Sequence, residues 1–248
     1  MASPVGTQLA GARVIVLNEV ASTNDFALDP NEYRRRDGAV FVAERQCAGR
    51  GRHGNGWHSA PGLGLWFSLA LKGPGRGLVF AAALAVREAI LAGMRPEAAA
   101  HTVVAIKWPN DVLCNGRKVC GILVEERDGW SALGIGINVR HSLADFPAPI
   151  RHTAGSLESV TGHPWNRERL FQETLKRLDT HLVRLREGGY EGLRREWLQA
   201  CRIVGRVVRC GGGFGRVVAA DTEGALLIQG PGGRQRVLAG EIEILDGA

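Results

Sequence analysis

Hydrophobic and polar positions follow a short-period pattern along the first 140 residues of the chain. Runs rich in Val, Ile and Leu, each bounded by Gly, Pro, Asn or Asp, are typical of β-strands. The pattern predicts seven strands, at residues 14–17, 39–43, 65–71, 103–106, 111–114, 118–125 and 132–138. Asn115-Gly116 separates the fifth strand from the sixth, and both residues tolerate the positive φ angles of a tight hairpin.

Two longer segments have the period of helices. Residues 78–92 are apolar on nearly every face, which predicts a buried helix. Residues 167–186 carry one apolar stripe at three- and four-residue spacing, formed by Leu170, Phe171, Leu175, Leu178, Leu182 and Leu185. Together with the strands, these helices predict an α/β (α+β) domain in which helices pack on a sheet.

The end of the chain has a different pattern. After a Pro-rich linker at residues 146–150 and the long helix, short apolar runs alternate with Gly-, Asp- and Pro-containing turns. These runs lie at residues 203–208, 216–219, 225–229, 236–238 and 241–245. Several short strands at regular spacing are typical of a small β-barrel. We therefore predict a larger domain at residues 1–200 and a small barrel at residues 201–248.

Composition excludes some classes of protein and leaves others open. The chain has 248 residues, 45% of them hydrophobic, and no apolar run near the roughly 20 residues that cross a bilayer. Its start lacks the charged head and apolar stretch of a secretory signal, so we expect a cytoplasmic protein without membrane contact. Five scattered cysteines form no Cys-x-x-Cys pair, which argues against a disulfide framework and a zinc site. The net charge of +6 is compatible with nucleic acid, an acidic protein or an anionic small substrate.

A glycine loop that carries two arginines follows the second predicted strand. Three glycines of Gly49-Arg-Gly-Arg-His-Gly-Asn-Gly-Trp57 fit G-x-G-x-x-G, but Asn55-Gly56 and Pro61-Gly62 prevent the helix that a dinucleotide site needs. The loop is instead suited to closing over a phosphate or a carboxylate, since guanidinium groups bind both in a bidentate manner. A solvated surface turn and an Arg-Gly contact with RNA remain alternatives for this segment alone.

A second polar segment, Lys107-Trp-Pro-Asn-Asp111, ends the fourth predicted strand. It places a cation, an aromatic ring, an amide and a carboxylate within five residues. An ordinary turn at a strand end is an equally good interpretation of this segment taken alone. Its combination with the arginine loop is much more specific.

With three further motifs, the chain resembles the biotin protein ligases, in the monofunctional form without an N-terminal DNA-binding domain. The motifs are Ser22-Thr-Asn24; Gln46 with Gly49-Arg-Gly-Arg52 and Trp57; Lys107-Trp-Pro-Asn-Asp111; Lys118-Val-Cys-Gly-Ile-Leu-Val-Glu125; and Gly134-Ile-Gly-Ile-Asn138. Their order and approximate spacing are those of the family, and Gly224-Ala-Leu-Leu resembles its C-terminal barrel. The resemblance implies a mixed sheet like that of class II aminoacyl-tRNA synthetases and biotin synthetases, flanked by helices and followed by an SH3-like β-barrel.

The resemblance also implies roles for individual residues. The biotin-binding set would be Ser22, Thr23, Asn24, Gln46, Arg50, Gly51, Arg52, Lys107 and Gly121. The ATP-binding set would be Arg50, Arg52, Trp57, Lys107, Asn110, Asp111, Lys118 and Asn138, and the catalytic set Lys107, Arg50, Arg52 and Asp111. From the residues alone, Ser22-Thr-Asn24 would be a helix N-cap and Trp57 a core anchor.

The implied reaction joins biotin to ATP as an acyl-adenylate, with Mg²⁺, and then to a lysine of a biotin carboxyl carrier protein. In the arginine loop, Asn55 stands where the family usually has a basic residue, which predicts weaker phosphate binding or loop ordering. Only about a dozen residues precede the first strand, so we expect no DNA binding. Exposed sheet edges would allow a homodimer. A lipoate or octanoate ligase of the same fold and a nucleic-acid-binding module are the alternative functions.

Overall fold

A seven-stranded mixed sheet forms the larger part of the computed structural model, which describes residues 7–11, 13–32, 35–211, 213–240 and 242–245. Its strands are β1 (Arg13–Val20), β2 (Ala39–Gln46), β3 (Gly64–Lys72), β4 (Val104–Lys107), β5 (Asp111–Cys114), β6 (Arg117–Arg127) and β7 (Trp130–Asn138). Their order is β1-β2-β3-β7-β6-β5-β4; β1 and β2 are parallel and the other neighbours antiparallel. All seven predicted strands are confirmed, as is the Asn115-Gly116 turn, where both residues have positive φ.

Helices lie on both faces of the sheet: the helix at Thr23–Leu28 packs with Phe41 and Ala70 on one face, and the long helices pack with Phe67 and Leu69 on the other. They are α1 (Thr23–Leu28), α2 (Leu78–Gly93), α3 (Pro96–Ala99), α4 (Leu157–Thr161), α5 (Arg167–Arg186) and α6 (Tyr190–Cys201). The two predicted helices are confirmed as α2 and α5, and α2 is buried on most faces because it lies between the sheet and α5. The mixed sheet with flanking helices confirms the predicted fold class.

The pattern of the sequence does not separate α6 from the preceding charged segment. Its buried residues Leu193, Trp197 and Cys201 are four residues apart and form one narrow stripe. Gly188 and Gly189 lie between α5 and α6, and Gly188 has a positive φ of 86° that interrupts the helical path. The Pro-rich segment 146–150 is also more ordered than a linker, since it contains a 3-10 turn at Ala148–Ile150.

A second, antiparallel sheet lies at the C-terminal end. Its strands are β8 (Val207–Cys210), β9 (Gly213–Ala220), β10 (Leu226–Gly230), β11 (Gly233–Val237) and β12 (Glu243–Ile244), in the order β11-β10-β9-β8-β12. The first strand begins at Val207 and not at residue 203, because Val204 and Gly205 form a turn. The pairings of the described residues form a five-stranded sheet, and its closure into an SH3-like barrel stays a prediction, as does the domain boundary at residue 200.

The two sheets share one hydrophobic core. Val208, Val217 and Leu226 of the small sheet belong to the same buried cluster as α2 and the large sheet. The indole N–H of Trp108, in the β4–β5 turn, donates a hydrogen bond of 2.9 Å to the carbonyl oxygen of Gly224. The small sheet is therefore held directly against the segment that carries Lys107 and Asp111.

The five cysteines are all free thiols. Across the described ranges, none of the helices has the length and apolar character needed to span a bilayer.

Candidate functional site

The predicted site residues converge on one cleft. It lies between the start of α1, residues 49–57, the β4–β5 turn and the faces of β6 and β7. Thirteen of them line it: Ser22, Thr23, Asn24, Gln46, Arg50, Gly51, Arg52, Trp57, Lys107, Asn110, Asp111, Lys118 and Gly121. Asn138 lines an adjoining cavity that shares Trp57, Lys107, Asp111 and Lys118 with the cleft. The five motifs, although dispersed in sequence, thus form one continuous site.

A chain of buried hydroxyl and amide groups lies at the α1 end of the cleft. Gln46 Oε1 accepts a hydrogen bond of 2.9 Å from the backbone N–H of Thr23 and lies 3.1 Å from the Thr23 hydroxyl oxygen. The Thr23 and Ser68 hydroxyls are 2.6 Å apart, and Ser68 donates to Asn24 Oδ1 at 2.5 Å. Two hydroxyl protons serve these contacts, so the two shortest are satisfied when Thr23 donates to Ser68 and Ser68 to Asn24. Thr23 Oγ1 then keeps a lone pair to accept an N–H from a ligand.

Asn24 connects this end of the cleft to two carboxylates. Its Nδ2 donates to Glu125 Oε2 at 2.6 Å, and Glu125 accepts from Arg50 at 3.0 and 3.3 Å. Arg50 also donates to Asp25 Oδ1 at 2.7 Å. The hydrogen bond to Asp25, together with Glu125, raises the pKa of Arg50 above its ordinary value despite partial burial. Arg50 is thus a cation neutralised by two carboxylates, and it attaches residues 49–57 to α1 and β6.

Ser22 occupies the N-cap position of α1, as the helix-cap interpretation predicts. Its side chain makes no capping hydrogen bond, although the backbone at Ser22 is extended. Ser22, Thr23 and Asn24 are 5%, 3% and 3% exposed. The buried Ser22 hydroxyl, which does not cap the helix, remains available to a ligand in the cleft.

The arginine loop, defined here as residues 49–57, is a short closed turn. Arg50 and Gly56 form a β-bridge, Gly51 N–H donates to Asn55 O at 2.6 Å, and a 3-10 turn spans Arg52–Gly54. This geometry agrees with the rejection of a dinucleotide fingerprint, because the loop does not continue into an α-helix.

Trp57 lies flat on the sheet over two glycines. A Cβ atom at Gly136 would be 2.5 Å from Trp57 Nε1, and one at Gly121 would be 2.7 Å from the indole Cζ3. The edge of Trp57 meets Trp66 at 6.3 Å between ring centroids. Glycine is therefore required at these two sheet positions, and the Trp57 ring forms a half-buried wall of the cleft.

Cations gather at the other end of the cleft, around the β4–β5 turn. Lys118 Nζ is 2.8 Å from Asp111 Oδ1, and burial lowers the pKa of Arg52 from its ordinary value, with Asp111 opposing the shift. Lys107, paired with Asp111 in the β4–β5 register, is exposed. Among the described residues, no hydrogen bond or ion pair neutralises its ammonium group.

Both asparagines of the predicted ATP set bind backbone groups. Asn110 Nδ2 donates to Ile122 O at 2.7 Å, and Asn138 Nδ2 donates to Gly155 O at 3.0 Å. These bonds hold the β4–β5 turn on β6 and fasten segment 153–155 to β7. Their side chains therefore support the cationic end of the cleft by holding the backbone around it.

Several lining or supporting residues lie outside the predicted set. Ser68 and Phe67 come from β3, Asp25 from α1, Glu125 from β6, and Gly240 and Ile242 from the C-terminal segment. Glu125 is the last residue of one of the recognised motifs, and a carboxylate on a strand could have indicated it as a site residue. Ser68 gave no signal, since a serine within an apolar strand is indistinguishable from a structural one.

A resident metal has little support from the donor set. No group of three His, Cys, Asp or Glu side chains is assembled anywhere in the described ranges. Asp111 is the carboxylate on the cation side of the cleft, and Mg²⁺ commonly uses one or two carboxylates together with substrate phosphates. The residues fit a magnesium ion that enters with a nucleotide.

A buried histidine beside Trp66 makes stability depend on pH. His141 is 1% exposed and packs between Trp66 and Phe146; burial, with a smaller contribution from His58, lowers its pKa from 6.5 to about 4. The unfolded chain binds this proton more readily, so we expect the free energy of unfolding to fall as pH drops from about 6.5 to about 4, by about 3 kcal/mol in full. Urea denaturation at pH 7 and at pH 5 measures the part of this loss that falls between those two pH values.

The His141→Phe variant provides the comparison, because it keeps an aromatic ring and removes the titration. Its stability should lose less between pH 7 and pH 5 than that of the unmodified chain. Equal losses in both proteins would assign the pH dependence to other groups.

The chain is similar to characterised ligases in sequence and in structure. A sequence model of the biotin/lipoate A/B protein ligase family matches residues 17–142. The bifunctional ligase/repressor BirA of Bacillus spizizenii is 31% identical over 96% of this chain and 76% of that protein. The biotin–acetyl-CoA-carboxylase ligase of Paracoccus denitrificans is 33% identical over 82% of this chain and 89% of that protein. The biotin protein ligase of Aquifex aeolicus, solved with biotin and ATP, superimposes with a TM-score of 0.77 at 31% identity, over 94% of this chain and 98% of that one.

Proposed function

The chain belongs to the biotin/lipoate A/B protein ligase family and has the function of a biotin protein ligase, and we propose that the cleft described above carries out both steps of its reaction. The observation that carries this proposal is the division of one cleft into a hydrogen-bonding end at α1 and a cationic end at the β4–β5 turn. Biotin has the same division, with a ureido ring at one end and a carboxylate at the other.

The α1 end suits the ureido ring. That ring presents two N–H donors and one carbonyl acceptor, which need a few well-placed polar partners inside an otherwise apolar pocket. Thr23 Oγ1 keeps an acceptor site, and the Ser22 hydroxyl makes no capping bond and is free to donate. Leu123 and the Trp57 ring supply apolar walls. These groups favour biotin over lipoate, whose dithiolane ring has no N–H or carbonyl to pair with them.

The cationic end suits the first chemical step. A carboxylate oxygen of biotin attacks the α-phosphorus of ATP, an acyl–phosphate bond forms, and pyrophosphate leaves. Two anions approach each other in this step, so cations placed where charge accumulates lower the barrier. Lys107 is, among the described residues, a cation at that end without a neutralising partner, and Arg52 lies half-buried beside Asp111. Mg²⁺ bound with ATP would withdraw charge from the phosphate oxygens, with Asp111 as its protein ligand.

The second step moves the biotinyl group to a protein. The amine of a lysine attacks the acyl carbon, an amide forms, AMP leaves and the amine loses a proton. The acceptor is the biotin carrier of a carboxylase, and its lysine has to reach the acyl carbon past the arginine loop. Until it arrives, the loop shields the anhydride from water.

Pyrophosphate exchange tests the proposed function. The protein, ATP, Mg²⁺ and labelled pyrophosphate are incubated with biotin, lipoate or octanoate, and label entering ATP is counted. Exchange with biotin and not with the other acids is expected. Exchange with lipoate alone would move the chain to the lipoate ligases, and absence of exchange with all three acids would contradict an adenylating function.

We predict that Arg52→Ala lets the adenylate escape. Arg52 lines the cleft, and its half-buried guanidinium is available to the adenylate phosphate once the intermediate has formed. Removing a charge-assisted hydrogen bond to a phosphate weakens retention by about 2 kcal/mol, or roughly thirtyfold. Free biotinyl adenylate should therefore accumulate in the medium, measured by chromatography after removal of the protein.

The exposed Arg45, which pairs with Glu19 at 3.2 Å outside the cleft, supplies a matched control. Arg45→Ala should release no more adenylate than the unmodified protein. Retention of the adenylate by Arg52→Ala would show that another group holds its phosphate.

A further inference from the structure

One carboxylate connects the two halves of the cleft. We propose that Glu125 is a positioning residue that joins the pocket for the ureido ring to the arginine loop, so that biotin binding and loop placement are coupled through it. This inference rests on the proposed function, and it assigns to Glu125 a supporting role in the biotin-binding cleft.

The coupling follows from the partners of the Glu125 carboxylate. Its Oε2 accepts from Asn24 Nδ2 at 2.6 Å and from Arg50 at 3.0 Å, while Oε1 accepts from Arg50 Nε at 3.3 Å. Asn24 is part of the buried chain that leads through Ser68 to Thr23 and Gln46. Arg50 belongs to the loop. A change in the position of Asn24 therefore alters the acceptor that holds Arg50.

The amide of Asn24 is oriented by the same contacts. Ser68 donates to its oxygen and Glu125 accepts from its nitrogen, so the side chain is fixed with Oδ1 toward β3 and Nδ2 toward β6. A carboxylate is acceptor-only and supplies enough lone pairs for both Asn24 and Arg50. A neutral glutamine at position 125 has one acceptor oxygen and would serve only one of them well.

A variant of Asp25 can distinguish the attachment of the arginine loop from the coupling through Glu125. It contacts the same guanidinium group at 2.7 Å but is itself 46% exposed and outside the buried chain. Glu125 is 32% exposed, so its replacement by glutamine removes a charge without leaving a buried cavity. Asp25→Asn should weaken the attachment of Arg50 alone, whereas Glu125→Gln should affect Arg50 and Asn24 together.

The experiment measures biotin-dependent pyrophosphate exchange for the full chain and for Glu125→Gln. We expect the biotin KM to rise about tenfold or more, because two charge-assisted hydrogen bonds are weakened. The kcat should change less than about threefold, because Glu125 touches no reacting atom. Glu125→Asp keeps the charge and should recover part of the biotin KM.

Trypsin cleavage within the arginine loop gives a second readout, since Arg50 and Arg52 are its targets there. If biotin protects the loop of the unmodified chain, Glu125→Gln should need about tenfold more biotin for the same protection. For Asp25→Asn we expect a KM rise of only about threefold. Glu19→Gln, which removes the exposed Arg45 pair on the neighbouring strands, is the matched control and should change nothing.

The outcomes separate the two proposals. Exchange by the unmodified chain tests the ligase function, and only the ratio between variant and unmodified chain tests Glu125. A Glu125→Gln biotin KM within about twofold of the unmodified value would overturn the inference. A fall in kcat with unchanged KM would also overturn it. Should Glu125→Gln fail to fold by circular dichroism, an effect of Asp25→Asn equal to that of Glu19→Gln would overturn it as well.

Discussion

Lys107→Ala is expected to abolish formation of the biotinyl adenylate while the fold stays intact. The Lys107 ammonium is exposed in the cleft and has no neutralising partner among the residues that the structure describes. A fixed cation at the point where a carboxylate meets a phosphate acts mainly in the transition state, so its loss should lower kcat more than it raises the biotin KM. We expect exchange to fall by about a thousandfold, the upper end of what one such group supplies.

Lys72→Ala provides the matched control, because Lys72 is an exposed lysine at the end of β3, away from the cleft. Lys107→Arg keeps a positive charge and should retain part of the exchange rate, although its planar group is longer and less compact. Thermal unfolding of each variant checks the fold. Near-normal exchange by Lys107→Ala would assign the central charge to Arg52 or Lys118.

Gly134→Val is expected to weaken biotin binding by about a hundredfold or more, close to 3 kcal/mol. Gly134 lies on β7, and a Cβ atom there would be 2.5 Å from Asn24 Oδ1 and 3.1 Å from its Cγ. Asn24 is 3% exposed and held by Ser68 and Glu125, so it has little freedom to move aside. The substitution should distort the hydrogen-bonding end of the cleft directly, as isothermal titration with biotin will measure.

The matched control is Gly232→Val in the β10–β11 turn, where an added Cβ would meet no atom within 4 Å. It should leave biotin affinity unchanged. Gly134→Ala introduces the same first atom without the branches and should have an intermediate effect. Biotin affinity of Gly134→Val within about threefold of the unmodified value would show that Asn24 does not contact the ligand.

The cations of the cleft differ in whether a carboxylate neutralises them, and this difference explains why Lys107→Ala is expected to have the largest effect on catalysis. Arg50 is neutralised by Asp25 and Glu125, and Lys118 is paired with Asp111. Lys107 has no such partner within the described part of the chain, so its charge remains available to the substrates. The resemblance implies a shared catalytic set, whereas the ion pairs divide that set into groups that hold the cleft together and groups that meet the reacting atoms.

The small C-terminal sheet contributes to the cleft as well as to the core. Gly240 and Ile242 line the cleft, and Gly224 accepts the hydrogen bond of the Trp108 indole. Composition and periodicity alone do not reveal this contact. A role of the small sheet in placing the β4–β5 turn is therefore a consequence of the tertiary structure.

The sequence by itself determined the local elements and most of the site. The seven strands of the large sheet, α2 and α5 were readable because the burial of each side chain repeats with the period of its own element. Thirteen of the predicted residues line the cleft. They could be named from the sequence because the motifs that carry them are recognisable without a structure. Helix α6 was not distinguished from the charged segment before it, because its apolar stripe is narrow and begins just after two glycines.

Only the tertiary structure decided which distant segments touch. The pairing of β3 with β7 places Ser68 opposite Gly134, and the fold of the arginine loop lays Trp57 over Gly121 and Gly136. Such contacts depend on burying all apolar faces at once and on satisfying each buried polar group, which are conditions on the whole chain. The separation of a free Lys107 from a neutralised Arg50 depends on these conditions, and no single motif contains it.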